Sequence, residues 1–239
     1  MTKNKNSVSY ESYQEMAEYY YEKVDEKSFN AYYERPGLIE LLPDVDGKKV
    51  LDSGCAAGWF TDWLIKHGAD VTAVDFSPNM VEMTKKRVGD NAEVIQADLN
   101  EPLDFLEDGS IDVILSSLTL HYLKDWDRVM KEFNRILVEK GKLVFSVHHP
   151  FMDYSYFDVD DYFEIKLLKD KWGEPEVEVE FYRRPLSEIT RPVTENGFVI
   201  QKITEPMPTK KFKEKLPKAY ERLTKKPQFI FVRAEKCAE

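Results

Sequence analysis

Between residues 48 and 149, short and mostly apolar runs alternate with amphipathic stretches, and this rhythm narrows the possible folds more than any other feature of the chain. KKVLDSG (48–54), DVTAVDF (70–76), AEVIQAD (92–98), IDVILSS (111–117) and GKLVFSVHH (141–149) read as strands. Helices are predicted over 58–67, 78–88 and 125–139; in the last, Trp126, Val129, Met130, Phe133, Ile136 and Leu137 recur at helical spacing. Strands this apolar need cover on both faces, which parallel sheets receive from crossover helices. Such crossovers are right-handed, so a doubly wound α/β fold with a mostly parallel sheet follows. A helix near 185–196 and strands at 198–206 and 228–236 continue the pattern.

The flanks read differently. Residues 8–34 are predicted helical and carry seven of the thirteen tyrosines, and Pro36 opens a short second helix, GLIELL. After Pro150 the rhythm breaks into an aromatic, acidic segment with possible strands at FEIKLL and EVEVEFY. The expected organisation is a helical lid over 1–45, an α/β core over 46–149, an insertion over 150–184 and completion of the sheet over 185–239. At 239 residues such a chain buries roughly 70–75% of its unfolded surface and needs no covalent staples. Two cysteines, without Cys-x-x-Cys or His-x-x-x-His spacing, support neither a zinc site nor a disulfide framework, so no metal is expected. No run approaches 18 apolar residues and the first sixteen are polar, so a cytoplasmic protein without a membrane partner is expected. A net charge of −10 disfavours nucleic acid as a partner. The charge is uneven: residues 151–181 hold ten acids and three lysines, whereas 207–227 hold eight bases and two acids.

In an open α/β sheet, ligands bind beyond the carboxyl ends of the strands. The first strand ends in Asp52-Ser53-Gly54-Cys55-Ala56-Ala57-Gly58 and runs straight into a helix. Gly54 permits the turn, and Gly58 lets the helix start tight against the sheet. Asp75, at the end of the second strand, is placed to accept hydrogen bonds from ribose hydroxyls. The glycine spacing is not G-x-G-x-x-G and no P-loop is present, so a nucleoside ligand without a pyrophosphate cradle is implied.

Val50 to Gly58 resembles the first motif of the class I S-adenosylmethionine-dependent methyltransferases, V-L-D-x-G-C-G-x-G, with Ala56 in place of the middle glycine. Val74-Asp75-Phe76-Ser77-Pro78-Asn79-Met80 resembles their second motif, V-D-x-S-x-x-M. Ala97-Asp98-Leu99 resembles the adenine-binding end of the third strand, and Ser116 to Tyr122 the segment that closes the donor pocket. Asn30 to Pro36 and Pro227 to Val232 are similar to small-molecule methyltransferases. The resemblance implies a seven-stranded sheet with an antiparallel last strand, S-adenosylmethionine as cofactor and S-adenosylhomocysteine as product. It further implies that Asp52 and the backbone of Gly54, Cys55 and Ala56 hold the methionine amino group, with Gly58 completing the turn. Asp75 would take the ribose diol, Phe76 and Met80 sandwich adenine, and Asp98 and Leu99 meet its edge. Ser117 and Leu118 would pass near the sulfonium, and Tyr21, Tyr33 and Arg35 are candidates for the donor carboxylate.

His121 follows the fourth strand, where a general base could take a proton from a hydroxyl or ammonium acceptor; the competing reading is a packing histidine. His148 and His149 end the fifth strand, and alternation allows at most one of them to face a pocket. With Tyr154, Tyr156 and Trp172 they are the candidate acceptor-side residues. The expected reaction is methyl transfer to a small, partly apolar molecule, of a kind that can carry a positive charge, enclosed by 150–184 and the N-terminal helix. The basic 207–227 segment instead suggests an anionic partner such as a phosphorylated carrier. The alternative to catalysis is a donor-binding subunit or sensor, which Ala56 favours. Oligomeric state and the methylated atom are left open by the sequence.

Overall fold

The computed structural model describes residues 9–172 and 176–238, without the side chains of Glu15, Met16 and Trp172. The chain begins with α1 (Tyr10–Lys23), a π-helical turn (Asn30–Glu34) and α2 (Arg35–Leu41). The alternating core follows as β1 (Lys49–Ser53), α3 (Trp59–Lys66), β2 (Asp70–Asp75), α4 (Pro78–Val88), β3 (Glu93–Gln96) and β4 (Ile111–Ser117). A 3-10 turn (Leu120–Tyr122) leads to α5 (Trp126–Ile136) and β5 (Leu137–His148). Next come α6 (Pro150–Tyr156), β6 (Lys166–Trp172), β7 (Val177–Arg183), α7 (Ser187–Glu195), β8 (Phe198–Thr204), α8 (Lys210–Lys215), α9 (Pro217–Leu223) and β9 (Phe229–Lys236).

Seven strands form one sheet in the order β3-β2-β1-β4-β5-β9-β8. β3, β2, β1, β4 and β5 run parallel; β9 slots between β5 and β8, antiparallel to both. This is the doubly wound, mostly parallel sheet with an antiparallel last strand that the sequence implied. Side-chain alternation builds its two cores. Leu51, Ile114, Leu143 and Phe145 face Val129, Met130 and Phe133 of α5 and Ile189 and Val193 of α7. Their neighbours Val50, Val113 and Val144 face Leu38 of α2, Leu64 of α3, Phe212 of α8 and Leu223 of α9. The strand order reverses between β1 and β4, so the carboxyl ends of these two strands open a crevice for a ligand.

Three boundaries differ from expectation. The helix predicted to reach 139 stops at Ile136, because Leu137 pairs with Ile111 and begins β5. β5 in turn ends at His148, since the His149 side chain accepts a hydrogen bond from Phe151 N and caps α6. Residues 207–227, given no element from the sequence, contain α8 and α9, each short and started by Thr209 or Pro217. Within 150–184, α6 is followed by a two-stranded sheet of β6 and β7, paired antiparallel from Lys166↔Arg183 to Trp172↔Val177.

Candidate functional site

A cavity of about 590 Å³ opens at the carboxyl ends of the parallel strands. Its floor is the β1–α3 turn, where three successive alternate residues take left-handed backbone: Gly54 at φ +84°, Ala56 at +48° and Gly58 at +76°. A Cβ on Gly54 would collide with the side chain of Thr119, so a side chain is excluded there by packing as well as by φ. Ala56 has a Cβ in this region, which costs an L-residue roughly 1–2 kcal/mol. Leu118, at φ +49° on the facing β4 end, is held the same way, by Ser146 Oγ and Ser146 O on its N–H.

Two carboxylates stand at this floor. Asp75 is 7% exposed; its oxygens accept from Ala56 N and Ser77 N, both at 2.9 Å. Burial outweighs those bonds and lifts its pKa to about 6. Asp52 accepts from Thr61 Oγ1 at 2.6 Å, and burial lifts it to about 7. Cys55 Sγ lies 3.5 Å from Thr84 Oγ1, and burial raises its thiol well above the usual value, which suits packing and not nucleophilic chemistry. Phe76 also lines the cavity, its ring meeting Tyr10 and Tyr13 edge-on at 5.4 and 6.2 Å. Asp98 Oδ1 receives Asn100 N and Asn100 Nδ2, which turns the chain so that Ala97, Asp98 and Leu99 all reach the lining.

The N-terminal elements close the cavity from above. Ser9 Oγ donates to Glu180 O on β7, while Gln14 Oε1 receives Ser77 Oγ and Asn79 N at the start of α4. Between these anchors Tyr13 and Tyr20 turn inward, and the Tyr13 and Tyr122 hydroxyls meet at 2.6 Å across the cavity. Burial raises both of these phenols, so they stay neutral. Glu34, fully buried, accepts from Ser117 Oγ and Ser146 Oγ and thereby pins the π-helical turn to the ends of β4 and β5. Burial shifts its carboxyl upward. The pin delivers Arg35 into the lining, its guanidinium stacked 4.1 Å from the Trp59 ring, with Nη1 lacking a hydrogen-bond partner among the described residues. Lys27 lines the cavity as well, its pKa lowered by burial and by Arg35. Among the described residues, no cluster of three or more His, Cys, Asp or Glu is placed to ligate a metal.

At the opposite end, His121 and His148 stack with centroids 4.3 Å apart and planes at 17°, and Phe181 meets both edge-on. His121 is 3% exposed, and neither ring nitrogen has a hydrogen-bond partner among the described residues. Burial drives its pKa well down and that of His148 to about 4, so both are neutral imidazoles at physiological pH. Asp153 Oδ1 lies 3.7 Å from His148 Nδ1, and burial lifts this carboxyl to about 8. Tyr156 and Phe157 also reach the lining.

Several residues predicted for the site sit elsewhere. Met80 is fully buried against Ala17, Val24 and Ala57, so it is one layer behind the position expected against adenine. Gly58 faces Thr84 at the start of α3, and Tyr21, half-buried against the Ala17–Met80 cluster with Lys86 and Arg87 over its ring, is outside the cavity lining. Tyr33 is a core residue whose hydroxyl accepts from Gln228 N. Since the Nδ1 of His149 accepts in the α6 cap, its Nε2 donates to Glu205, away from the cavity. Tyr154 packs on Tyr162 near the Arg183 guanidinium. The Trp172 side chain lies outside the described residues. Conversely, Glu34 and Lys27 were not singled out, whereas Phe181, within the insertion expected to enclose the acceptor, and Tyr20, among the N-terminal tyrosines, both reach the lining. Glu34 lies in the Asn30 to Pro36 segment, but no local pattern says that a carboxylate would bury itself 83 residues away from Ser117.

Residues 51–145 match the model of a methyltransferase domain. The chain is 32% identical over 136 residues to a ubiquinone biosynthesis O-methyltransferase of Coxiella burnetii, covering 54% of this chain and 56% of that one. It is 39% identical over 94 residues to a phosphoethanolamine N-methyltransferase of Triticum aestivum, covering 38% and 19%. The chain thus spans little more than half, or less, of the curated relatives it matches. A crystal structure of a candidate S-adenosylmethionine-dependent methyltransferase from Listeria monocytogenes superposes with a TM-score of 0.75 at 28% identity, covering 86% of this chain and 97% of that one.

Proposed function

We propose that the chain is a class I S-adenosylmethionine-dependent methyltransferase that methylates a small-molecule acceptor held at the histidine end of the cavity, a reading supported by the matched methyltransferase domain and the similar solved structure. When bound, the cofactor supplies a methyl group already activated by its sulfonium leaving group. The observation that carries the reading is the pairing, in one cavity, of a braced ribose-binding carboxylate, Asp75, with an unpartnered buried imidazole, His121.

The cavity residues fit the cofactor. Asp75 is braced by backbone N–H groups on both oxygens and keeps acceptor capacity for a ribose hydroxyl. Arg35, with its unpartnered Nη1 beside Lys27, suits the donor carboxylate, and Asp52 with the Gly54–Ala56 backbone suits the amino group. Phe76 offers one aromatic face to adenine, with Asp98 and Leu99 at its edge. Tyr13, not Met80, closes the cavity near Phe76. Ser117 and the strained Leu118 carry the wall between donor and acceptor.

At the reacting end the protein positions the acceptor, excludes water beneath α1 and provides His121 to receive a proton. A neutral imidazole is the protonation state that a base needs, and burial enforces it. The test is incubation with methyl-labelled donor and a metabolite extract, followed by mass detection of products gaining one methyl group. A labelled product supports the reading; donor binding with no product from any fraction supports a sensor or donor-binding subunit instead.

A further inference from the structure

We propose that the acceptor is a neutral hydroxylated aromatic ring with a short anionic tail, its hydroxyl on His121 and its tail on Arg222. This inference rests on the methyl-transfer reading and adds the class of acceptor. A continuous wall joins the two residues. His121 stacks on His148 at 4.3 Å, His148 stacks on Phe229 at 6.1 Å, and Gln228, adjoining Phe229, receives Arg222 Nη2 at 3.0 Å. All five line the one cavity.

The inner end of this wall is flat, aromatic and uncharged. The two imidazoles and Phe229 stack, Phe181 stands perpendicular to both imidazoles, and burial keeps both imidazoles neutral. A planar ring packs against such edges and faces with no charge to desolvate, whereas an ammonium would lose its hydration against groups that cannot neutralise it. Neutral His121 has one N–H and one bare nitrogen, both buried and without a hydrogen-bond partner among the described residues. A hydroxyl can donate to the bare nitrogen, and a ring hydroxyl is acidic enough to surrender its proton to a weak base. In the reaction the acceptor oxygen bonds to the methyl carbon as the carbon–sulfur bond breaks. The bond pair passes to sulfur, giving a neutral thioether, and the hydroxyl proton goes to His121 and then to solvent.

The outer end is cationic. Arg222 belongs to α9 within the 207–227 segment, whose eight bases oppose two acids in a chain of net charge −10. Seven exposed lysines accompany it in that segment, and Arg222 is the base among them that lines the cavity, so the local field around Arg222 favours an anion. Much of the negative charge of the insertion lies on exposed Asp158, Asp160, Asp161 and Glu164; Asp170 is its acidic residue in the lining, beside Lys171.

The experiment is calorimetry at saturating S-adenosylhomocysteine with four probes: 4-hydroxyphenylacetate, 4-hydroxyphenethyl alcohol, tyramine and phenylacetate. The expected order is 4-hydroxyphenylacetate, then the alcohol, then tyramine, with phenylacetate at least about tenfold weaker than its hydroxylated counterpart. Arg222→Glu should erase or invert the tail preference while leaving S-adenosylhomocysteine affinity within about twofold, and Arg222→Lys should restore most of it. Tyramine binding tightest would overturn the tail assignment in favour of Asp170. Equal binding of phenylacetate, or no binding by any hydroxylated probe, would overturn the hydroxyl assignment. Failure of S-adenosylhomocysteine itself to bind would instead sink the methyl-transfer reading beneath it.

Discussion

The two ends of the cavity are built from different materials. At the donor end, main-chain groups at the tips of β1, β2 and β4 do most of the shaping: left-handed Gly54, Ala56 and Leu118, and amide N–H groups that brace Asp75. At the acceptor end, side chains from distant segments do it: His121, His148, Phe181 and Phe229 stack on one another across 108 residues of sequence. A backbone-built site tolerates change in its side chains but not in its turn geometry. A side-chain-built site can be rewritten by single substitutions without disturbing the sheet. One fold can therefore keep its donor while exchanging acceptors, consistent with this chain resembling an O-methyltransferase over 136 residues and an N-methyltransferase over 94.

The substitution expected to have the largest effect tests the acceptor end. His121→Ala should lower turnover by about 10²–10⁴ while donor affinity stays nearly unchanged. Parallel losses in turnover and thermal stability would return His121 to a packing role. At the donor end, Arg35→Met should keep the stack on Trp59 yet remove the charge proposed to meet the donor carboxylate, costing roughly 1.5–3 kcal/mol in donor affinity by calorimetry. An unchanged affinity would leave Lys27 as the carboxylate partner.

Acidity sharpens the contrast further. Burial lifts the Asp75 carboxyl to about 6, and in the proposed role it would accept ribose hydroxyls best as a carboxylate, so donor affinity should fall by up to about tenfold per unit as pH drops below 6. Stability runs the other way. A carboxyl whose folded pKa is raised from 3.8 to about 6 binds more protons folded than unfolded, so its ionisation destabilises the fold. That penalty is complete above the folded pKa and is relieved as pH falls from about 6 towards 3.8. Asp75→Asn should flatten both dependences over that window, as read by calorimetry and by thermal melts. The smallest effect belongs to Ala56. Replacing it with glycine relieves left-handed strain but adds freedom to the unfolded chain, for a net gain of up to about 1 kcal/mol in a denaturant titration. Marked destabilisation would mean that the Ala56 methyl packs usefully at the floor.

The same contrast explains what could be read from the amino-acid sequence. The strand rhythm, the turn after β1 and Asp75 are local features, each carried by a few consecutive residues, so they were legible. The doubly wound class followed from crossover chirality and the antiparallel last strand from the family resemblance, whereas the strand order itself was not read from the sequence. Met80 was misplaced because the second motif fixes its position on α4 but not its facing, and packing of α1 against α4 turned it inward. His149 and His148 were separable only once α6 took His149 as its cap. Glu34 lies beyond any local pattern, since its role depends on Ser117 and Ser146 far along the chain, and Arg222, although Gln228 is six residues away, meets a cavity assembled from distant segments.

The central claim is that the floor between β1 and β2 is a nucleoside site tuned to a sulfonium donor and not to a dinucleotide. Calorimetry with S-adenosylhomocysteine and with NAD, on the wild-type chain and on Asp75→Ala, tests this directly. The account predicts saturable binding of S-adenosylhomocysteine, no heat from NAD, and a loss in the variant of one or two charge-assisted hydrogen bonds, roughly 1.5–3 kcal/mol each. Comparable binding of NAD, or an Asp75→Ala variant with undiminished S-adenosylhomocysteine affinity, would contradict it.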